Sequence, residues 1–407
     1  MANLTDLASS LSSALQNLPP TESIQDAERF QILGLIEQLQ NKLEPPFFTI
    51  LNKFCFSHHA LVVVRIAQGM GIFDAFAASN NTEMGVEELH SKTKGDQEFL
   101  ERTMRHLCAL KVFKQTDEDK YQPLPLAPMF VGELPTGSLI RHVKKTEEEA
   151  NFDSHTNMLV AAKLHEYLKN NGYKSPDDAY NSPFQFAYQT QDHYFEWLKK
   201  DPEEQQAFNK TMTVGRQAMG TLWFEYFPVV EKLQASPERT LLVDIGGGIG
   251  YDLSQLKKEF PDLPGRLVVQ DLPEVIDDIS EPLPDGVEAV KYDMFTPQPI
   301  VGAKAYCLRT VLHDWPDRQA LEVLARVREA MAEDSILLLI ENVFPDSNVP
   351  ATSASLDLTM MTMFSSLERT RGQWASLLEK GGFRLVHVWT PEQENSGRNS
   401  VFEAVRV

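Results

Sequence analysis

The stretch TLLVDIGGGIG, residues 240–250, decides the fold of this 407-residue chain. Its apolar run Leu241–Val243 is typical of a buried strand in a parallel sheet, and Asp244 ends that run. Four glycines follow closely, and glycine allows the backbone both to turn sharply and to approach a ligand. Residues 251–260 then carry apolar side chains at helical spacing. A strand, a glycine turn and a helix in this order predict the start of a nucleotide-binding α/β unit.

The next predicted strand, residues 266–270, ends in Asp271. An acidic residue at the tip of the second strand can accept hydrogen bonds from both hydroxyls of a ribose. The NAD-binding pattern G-x-G-x-x-G fails here by one position, because Tyr251 stands where the pattern needs its last glycine. An Asp before the glycines, with few positions to hold phosphates, favours a nucleoside without a pyrophosphate over NAD. S-adenosylmethionine (SAM) is such a nucleoside.

The composition argues against several classes of partner. A net charge of −20 disfavours nucleic acid, whose phosphates bind basic surfaces, and disfavours an anionic membrane. The three cysteines are scattered without the spacing of a metal site, which predicts a reduced, cytoplasmic protein without disulfides. No apolar run approaches the ~20 residues of a membrane-spanning helix. At 407 residues and 42% hydrophobic, the chain is long enough for two or three domains with cores of their own.

Residues 1–130 are predicted to form an N-terminal helical and winged-helix domain. Apolar residues recur at helical spacing in two helices within residues 1–45, which have little core of their own. These helices must pack either on a second subunit or on later helices of the same chain. Further helices and a two-stranded wing at residues 112–126 complete the predicted winged helix. The helix after Asp96 is acidic and lacks the basic surface of a DNA-binding helix, so the domain is predicted to be structural.

Residues 131–235 are predicted to be a helical segment that contributes to a substrate pocket. The segment is rich in aromatic side chains, which suit both a protein core and a pocket for a planar or apolar ligand. Phe186 and Trp223 are the candidates from this segment for contact with a substrate.

Residues 236–407 alternate strands and helices, which predicts a doubly wound, Rossmann-like α/β sheet with its ligand at the carboxyl ends of the strands. The last two strands have no helix between them and should form an antiparallel hairpin at one edge of the sheet. Strands are predicted at residues 241–244, 266–270, 287–290, 304–308, 336–341, 383–389 and 400–406.

Polar residues follow several of these strands, where such a sheet places its site. Asp293-Met294 can bind an adenine through its amino group and its ring face. His313 lies in the turn before a helix that Asp317 is predicted to cap, and with an ordinary pKa near ~6.5 it can take a proton from a hydroxyl. Glu341 ends the next strand and Glu368 begins a later helix, and a carboxylate can orient an imidazole. Each residue alone also fits a structural role, but their joint position predicts a catalytic site without a metal.

The order of motifs along the second half of the chain is specific: VDIGGGIG, QDLPEVI, YDMF, LRTVLHDWPD, LLLIENVFP, DLTMM and ERTRGQWASLLEKGGF. Together these motifs resemble the SAM-dependent small-molecule O-methyltransferase family of the caffeate and flavonoid type, in its fungal branch. The stretches ALVVVRIAQGMGIFDAF and LERTMRHLCALKVF resemble the winged-helix dimerisation domain of that family. The resemblance implies a homodimer that methylates a hydroxyl of a small aromatic or heterocyclic secondary metabolite.

The resemblance also implies roles for individual residues. His313 matches the catalytic base, and Glu341 and Glu368 match the two carboxylates that steer it. Two departures leave the substrate open, because Tyr292 replaces a usual glycine and residues 365–367 replace a usual Gly-Gly-Lys. The implied cofactor contacts are Asp244, Gly246, Gly248, Asp271, Leu272, Asp293, Met294 and Arg309. The implied or proposed substrate contacts are His142, Phe186, Trp223 and Asp314.

Some fungal members of the family bind SAM yet catalyse pericyclic reactions, with the sulfonium acting as a positive charge. The segments GRLVVQDLP, TPQPIVGAK and DRQALEVL resemble those members, and His142 matches a histidine of their substrate pocket. Retention of His313 with Glu341 and Glu368 favours methyl transfer, and pericyclic chemistry stays open as the alternative. A non-catalytic winged-helix regulator is a third hypothesis, against which the acidic helices argue.

Overall fold

The computed structural model describes residues 4–19, 23–131, 154–201, 222–347, 349–391 and 400–407, together with residues 205, 208, 209 and 212. The chain divides into two compact units, Met1–Val63 and Val64–Val407. The first unit is helical, and its large apolar side chains, such as Leu33 and Ile36, are about half exposed. Its helices are Leu4–Gln16, Asp26–Leu43 and Pro46–Ile50, followed by a π-helical turn at Leu51–Cys55.

A winged helix begins with the helix His58–Met70, within which the boundary between the two units falls. Its small antiparallel sheet consists of β1 (Met84–Gly85), β2 (Phe113–Asp117) and β3 (Lys120–Pro123), in the order β1-β3-β2. The predicted wing is β2 and β3, and β1 is a third short strand that was not predicted. Asp96 caps the helix Gln97–Ala109, because its side chain accepts a hydrogen bond from the Phe99 backbone N–H at 3.0 Å. The helices are His58–Met70, Ile72–Ala78, Val86–Lys92 and Gln97–Ala109.

A helical segment leads from the winged helix to the α/β domain. Phe184 and Tyr194 of this segment are fully buried against Met363 and Phe364 of the α/β domain, which fixes the segment over one end of the sheet. Ser182 and His193 each begin a helix through a capping box. The helices are Ser154–Asn170, Pro183–Tyr188, Tyr194–Leu198 and Val229–Lys232, with short 3₁₀ turns at Ala127–Phe130 and Trp223–Glu225.

The α/β domain is built on a seven-stranded sheet with the order β6-β5-β4-β7-β8-β10-β9. The strands β6, β5, β4, β7 and β8 are parallel, whereas β10 runs antiparallel to both of its neighbours. The predicted terminal hairpin is confirmed, with β10 inside and β9 at the edge. The strands are β4 (Thr240–Ile245), β5 (Arg266–Asp271), β6 (Val287–Lys291), β7 (Ala305–Arg309), β8 (Ile336–Glu341), β9 (Phe383–Trp389) and β10 (Ser400–Arg406).

Helices cover both faces of this sheet, so neighbouring residues of a central strand enter different cores. In β8, for example, Leu337 and Leu339 join one apolar cluster, while Leu338 and Ile340 join the other. The first five residues of β8 are all apolar, as expected for a parallel strand that is buried on both faces. The helices are Tyr251–Glu259, Pro273–Asp277, Asp317–Ala330, Ala351–Phe364 and Arg371–Lys380.

One detail of the sequence analysis is corrected at the helix Asp317–Ala330. The capping position is Pro316 and carries no side-chain cap, so Asp317 is the first helical residue rather than the cap. Its Oδ1 instead accepts hydrogen bonds from Arg369 Nη2 at 2.9 Å and Nε at 3.2 Å.

Among the described residues, no single helix is long and apolar enough to span a membrane. One pair of helices, Pro46–Cys55 and His58–Met70, reaches the required length and hydropathy only when taken together, and the pair is bent by 41°.

Candidate functional site

A cavity of about 730 Å³ opens at the carboxyl ends of the parallel strands. This volume falls within the range of about 300–1,000 Å³ that is usual for small-molecule sites. The predicted cofactor contacts and catalytic base that line it are Gly246, Gly248, Asp271, Leu272, Asp293, Met294, Arg309 and His313, and the predicted substrate contact Asp314 lines it too. The structure therefore brings together most of the residues that sequence reasoning singled out.

The glycine turn after β4 is tied to the end of β5. The backbone N–H of Gly248 donates to Asp271 Oδ2 at 2.8 Å, and that of Leu272 donates to Oδ1 at 2.7 Å. Gly248 has φ 63°, a conformation that favours glycine. A Cβ on Gly247 would lie 2.6 Å from Asp244 Oδ2 and 2.7 Å from Val269 Cγ2, so the turn has no room for a side chain there.

Arg309, predicted to contact the cofactor, forms a buried ion pair beneath this turn. Its Nη1 donates to Asp252 Oδ1, and both side chains are at most 5% exposed. Burial lowers the pKa of Arg309, but the charges of Asp252 and Asp244 outweigh burial and raise it. Its Nε has no hydrogen-bond partner among the described residues, so a buried cation at the cavity retains one donor for an anionic group. Sequence reasoning missed Asp252, although its position in the first helical turn was a signal.

His313 stands at the cavity wall in the 3₁₀ turn Leu312–Asp314 that follows β7, and its side chain is 13% exposed. Its Nδ1 lies 2.8 Å from Glu368 Oε1, and its Nε2 lies 3.6 Å from Asp314 Oδ1. An ionised carboxylate only accepts hydrogen bonds, so Nδ1 carries a proton toward Glu368 and the neutral ring has its lone pair on Nε2. This arrangement leaves Nε2 as the nitrogen that can accept a proton.

The charges around His313 shift three pKa values. Burial lowers the pKa of His313, but the charge of Asp314, the hydrogen bond to Glu368 and the charge of Glu341 raise it to about 10. Burial raises the pKa of Glu341 to about 7 and that of Asp314 to about 6, against the lowering effect of His313. One imidazole thus shares a largely dry environment with three carboxyl groups, which is a pattern concentrated at functional sites.

Glu341 and Glu368 are buried behind the cavity wall and do not line it. Glu368 contacts the imidazole directly, as expected for a carboxylate that steers a base. Glu341 Oε1 instead accepts hydrogen bonds from the backbone N–H groups of Val311 at 3.1 Å and Leu312 at 2.9 Å. Glu341 therefore fixes the turn that carries His313 and acts on the ring through its charge.

The turn before Glu368, where the sequence departs from the family pattern, has a backbone conformation that favours the usual glycine. Ser365 ends the helix Ala351–Phe364 with φ 56°, in the left-handed region where glycine is favoured. A family that usually has Gly-Gly at this point fits that conformation without strain. The hydroxyls of Ser365 and Ser366 are buried and have no hydrogen-bond partner among the described residues.

Two of the predicted substrate contacts, Phe186 and Trp223, do not line this cavity. Phe186 is 36% exposed and packs on Tyr167 at 5.7 Å, because it follows the inward-facing Phe184 by two positions and so lies on another side of its helix. Trp223 is 2% exposed in the core against Phe224 and Phe227. Asp244 also lies buried beneath the glycine turn rather than at the cavity surface. His142 lies outside the described residues.

The rest of the cavity is mainly apolar and aromatic. Tyr292, the second departure from the family pattern, lines it near Asp293 and Met294, and its hydroxyl donates to the Thr296 carbonyl at 2.9 Å. His193, Phe195 and Trp315 were not predicted to be site residues. Tertiary packing brings His193 and Phe195 to this wall, whereas Trp315 follows His313 by two residues after β7. Other apolar side chains that line the cavity are Phe208, Met212, Leu356, Met360 and Phe364.

The residues present fit a SAM-type ligand. Asp271 offers acceptor oxygens at the end of β5, and Leu272 and Met294 offer apolar surfaces for a ring. Arg309 offers its spare donor for a carboxylate. Within the described part of the chain, no group of three His, Cys, Asp or Glu side chains could hold a metal ion.

Comparison with known proteins identifies two matching domain families. The O-methyltransferase domain matches residues 165–384, and the O-methyltransferase dimerisation domain matches residues 52–133. The chain is 34% identical to O-methyltransferase mfmE of Annulohypoxylon moriforme, covering 93% of this chain and 92% of that protein. It is 30% identical to demethylsterigmatocystin 6-O-methyltransferase of Aspergillus flavus, covering 89% of each.

Solved structures are also similar over the whole chain. The structure of LepI in complex with SAM superposes with a TM-score of 0.86, 27% identity and full coverage of both chains. A structure described as a pericyclic reaction enzyme superposes with a TM-score of 0.84, 27% identity, and coverage of 99% of this chain and 100% of that one.

Proposed function

The chain belongs to the SAM-dependent O-methyltransferase family, and on that premise we propose that it methylates a hydroxyl of a small aromatic or heterocyclic secondary metabolite, with His313 as the general base. The observation that carries this proposal is the pair formed by His313 Nδ1 and Glu368 Oε1 at 2.8 Å, on the wall of the cavity. The 30% identity to demethylsterigmatocystin 6-O-methyltransferase supports methylation of an oxygen atom.

Some residues of the site remove the proton of the substrate hydroxyl, and others hold the imidazole of His313 in position. His313 Nε2 takes the proton of the substrate hydroxyl, and Glu368 stabilises the imidazolium that results. Glu341 holds the backbone of the preceding turn, so the ring keeps its position during this transfer. When bound, SAM supplies an electrophilic methyl group. Much of the rate should come from holding the oxygen in line with that group.

The cofactor-binding roles rest on the geometry around the glycine turn. Asp271 holds the ribose hydroxyls, and Asp293 and Met294 hold the adenine edge and face. Gly246 and Gly248 leave the backbone accessible, and Arg309, which lines the cavity with an unpaired Nε, would hold the carboxylate of the methionine portion. Asp244 lies beneath the glycine turn and contributes indirectly, because its charge stabilises the protonated guanidinium of Arg309.

A second candidate function is SAM-bound pericyclic catalysis. The carboxylates that raise the pKa of His313 to about 10 keep a proton on the ring, and an imidazolium can donate a hydrogen bond to a substrate carbonyl. Similarity to a structure described as a pericyclic reaction enzyme favours the same alternative. The two functions differ in whether a methyl group leaves the cofactor.

We also propose that the protein is a homodimer. The match to a dimerisation domain supports this assembly, as do the exposed apolar side chains of the first unit.

His313→Ala tests the proposed base. We expect methyl transfer from radiolabelled SAM to a panel of phenols to fall roughly 10²–10⁴-fold, the usual contribution of a general base. The dissociation constant of SAM should stay the same, because the imidazole acts on the acceptor. His165→Ala, at an exposed histidine, is the matched control. Full turnover in His313→Ala would remove His313 from this role.

A further inference from the structure

We propose that His193 recognises the methyl acceptor, by donating a hydrogen bond from Nε2 to a carbonyl oxygen of a planar aromatic substrate. This inference rests on the proposed function and names the substrate class more closely. His193 lines the cavity, is 1% exposed, and has no hydrogen-bond partner at Nε2 among the described residues. Buried polar atoms are nearly always paired, so an unpaired one at a ligand cavity requires an explanation.

The proton on the His193 ring can be placed from its contacts. The backbone N–H of Phe195 donates to Nδ1 at 3.3 Å, so Nδ1 is an acceptor and carries no proton. A neutral imidazole must then carry its proton on Nε2. Burial lowers the pKa of His193 to about 3, so the ring stays neutral at physiological pH. The ring therefore presents one N–H donor and no charge, which suits a neutral acceptor such as a ketone rather than a carboxylate.

The ring is held rigidly enough to act as a specificity element. His193 begins the helix Tyr194–Leu198 through a capping box, in which its own backbone N–H donates to Glu196 Oε2 at 3.0 Å. Its ring stacks on Trp315, with centroids 4.4 Å apart and planes inclined by 15°. Trp315 follows His313 by two residues. The stack therefore fixes the position of the His193 ring relative to the turn that carries the proposed base.

The surrounding surface fits a flat ring system. Phe195 and Phe364 lie 5.4 and 5.9 Å from the imidazole, measured between ring centroids, and both line the cavity. In an apolar pocket with a single fixed donor, burial of the ligand's apolar surface provides the affinity, and the hydrogen bond to the donor sets the orientation of the ligand. An analogue that lacks the acceptor leaves the buried N–H unpaired and so binds more weakly.

Two planar tricyclic probes, 9-fluorenone and fluorene, isolate this contact because they differ by a carbonyl in place of a methylene. Their affinities for the full-length protein with S-adenosylhomocysteine present can be measured by equilibrium dialysis. We expect 9-fluorenone to bind roughly tenfold more tightly than fluorene, which corresponds to one net hydrogen bond. Equal affinities would overturn the proposal without any variant.

Substitution of His193 completes the test. His193→Asn keeps an acceptor for the Phe195 N–H and so keeps the cap, but its amide N–H groups do not reach the position of Nε2, and the preference for 9-fluorenone should disappear. His193→Gln places an amide N–H near the position of Nε2 and should retain the preference. His165→Asn, at the exposed histidine, is the control. A preference that survives in folded His193→Asn, or that is lost in folded His193→Gln, would contradict the proposal.

Binding and methyl transfer are separate readouts in this design. Failure of the carbonyl preference leaves methyl transfer standing, and absence of methyl transfer leaves the carbonyl preference measurable.

Discussion

The carboxyl groups around His313 favour the protonated form of its imidazole. Burial lowers its pKa, but Asp314, Glu368 and Glu341 outweigh burial and raise it to about 10. A general base must be neutral, and the neutral fraction increases about tenfold per pH unit below the pKa. We therefore expect kcat/KM for methyl transfer to keep rising between pH 7 and pH 9. Initial rates at low substrate across this range would check the expectation, and a profile that is level above pH 7 would contradict it.

Glu368→Gln provides the control for this profile. The substitution removes the charge that faces Nδ1, so the pKa of His313 should fall and the rise in kcat/KM should end at a lower pH. Glu329→Gln, at a side chain that is 59% exposed, should leave the profile unchanged.

Sequence reasoning at the level of residues succeeded where the backbone alone brings side chains together. Asp271 ends β5 and His313 lies in the turn that follows β7, so their approach to a common edge of the parallel sheet follows from the fold class. Glu368 was placed by its motif. Phe186 and Trp223 were chosen for being aromatic in an aromatic-rich segment, where only the phase of short helices decides which rings face a cavity. His193 was missed because its role depends on a cap and on a stack with Trp315.

The glycine turn between β4 and the next helix leaves no space for a side chain at Gly247. A Cβ there would approach Asp244 Oδ2 and Val269 Cγ2 to 2.6 and 2.7 Å. We expect Gly247→Ala to lower the free energy of unfolding by about 1–3 kcal/mol, as overpacking usually does. Urea denaturation would measure the loss.

Gly69→Ala is the matched control for that substitution. Gly69 lies within the helix His58–Met70, and a Cβ there has no neighbour within 4 Å. Alanine should leave stability equal or raise it by up to about 1 kcal/mol, because glycine is unfavourable inside a helix. A Gly247→Ala protein as stable as the Gly69→Ala protein would contradict the steric account.

The bounds of the strands could be predicted from the sequence more accurately than the pairing of the strands. The seven strands of the large sheet were placed to within one residue at each end. The central strands β4, β7 and β8 are buried on both faces and so contain continuous apolar runs. The position of β10 between β8 and β9 was not specified, because periodicity does not state which strands pair. β1 was missed, because its two residues form a strand only by pairing with β3.

The proposed homodimer can be tested by substituting exposed apolar residues of the first unit. Leu33 and Ile36 lie on one side of the helix Asp26–Leu43 and are 54% and 50% exposed. We expect the native protein to have twice the 46.0 kDa mass of the chain, and the double substitution Leu33→Arg with Ile36→Arg to shift it toward 46.0 kDa. Light scattering gives this mass directly. Val301→Arg, at an apolar residue that is 75% exposed, should remain dimeric, and a native monomer would contradict the prediction.

The fate of the cofactor's methyl group tests the central claim most directly. The full-length protein is incubated with SAM that carries a deuterated methyl group and with a panel of phenols and planar aromatic ketones bearing hydroxyls, and all products are analysed by mass spectrometry. The account predicts a product that carries the deuterated methyl group, with S-adenosylhomocysteine accumulating in equal amount. A converted substrate without the label, recovered beside intact deuterated SAM after many turnovers, would contradict methyl transfer and establish the pericyclic alternative.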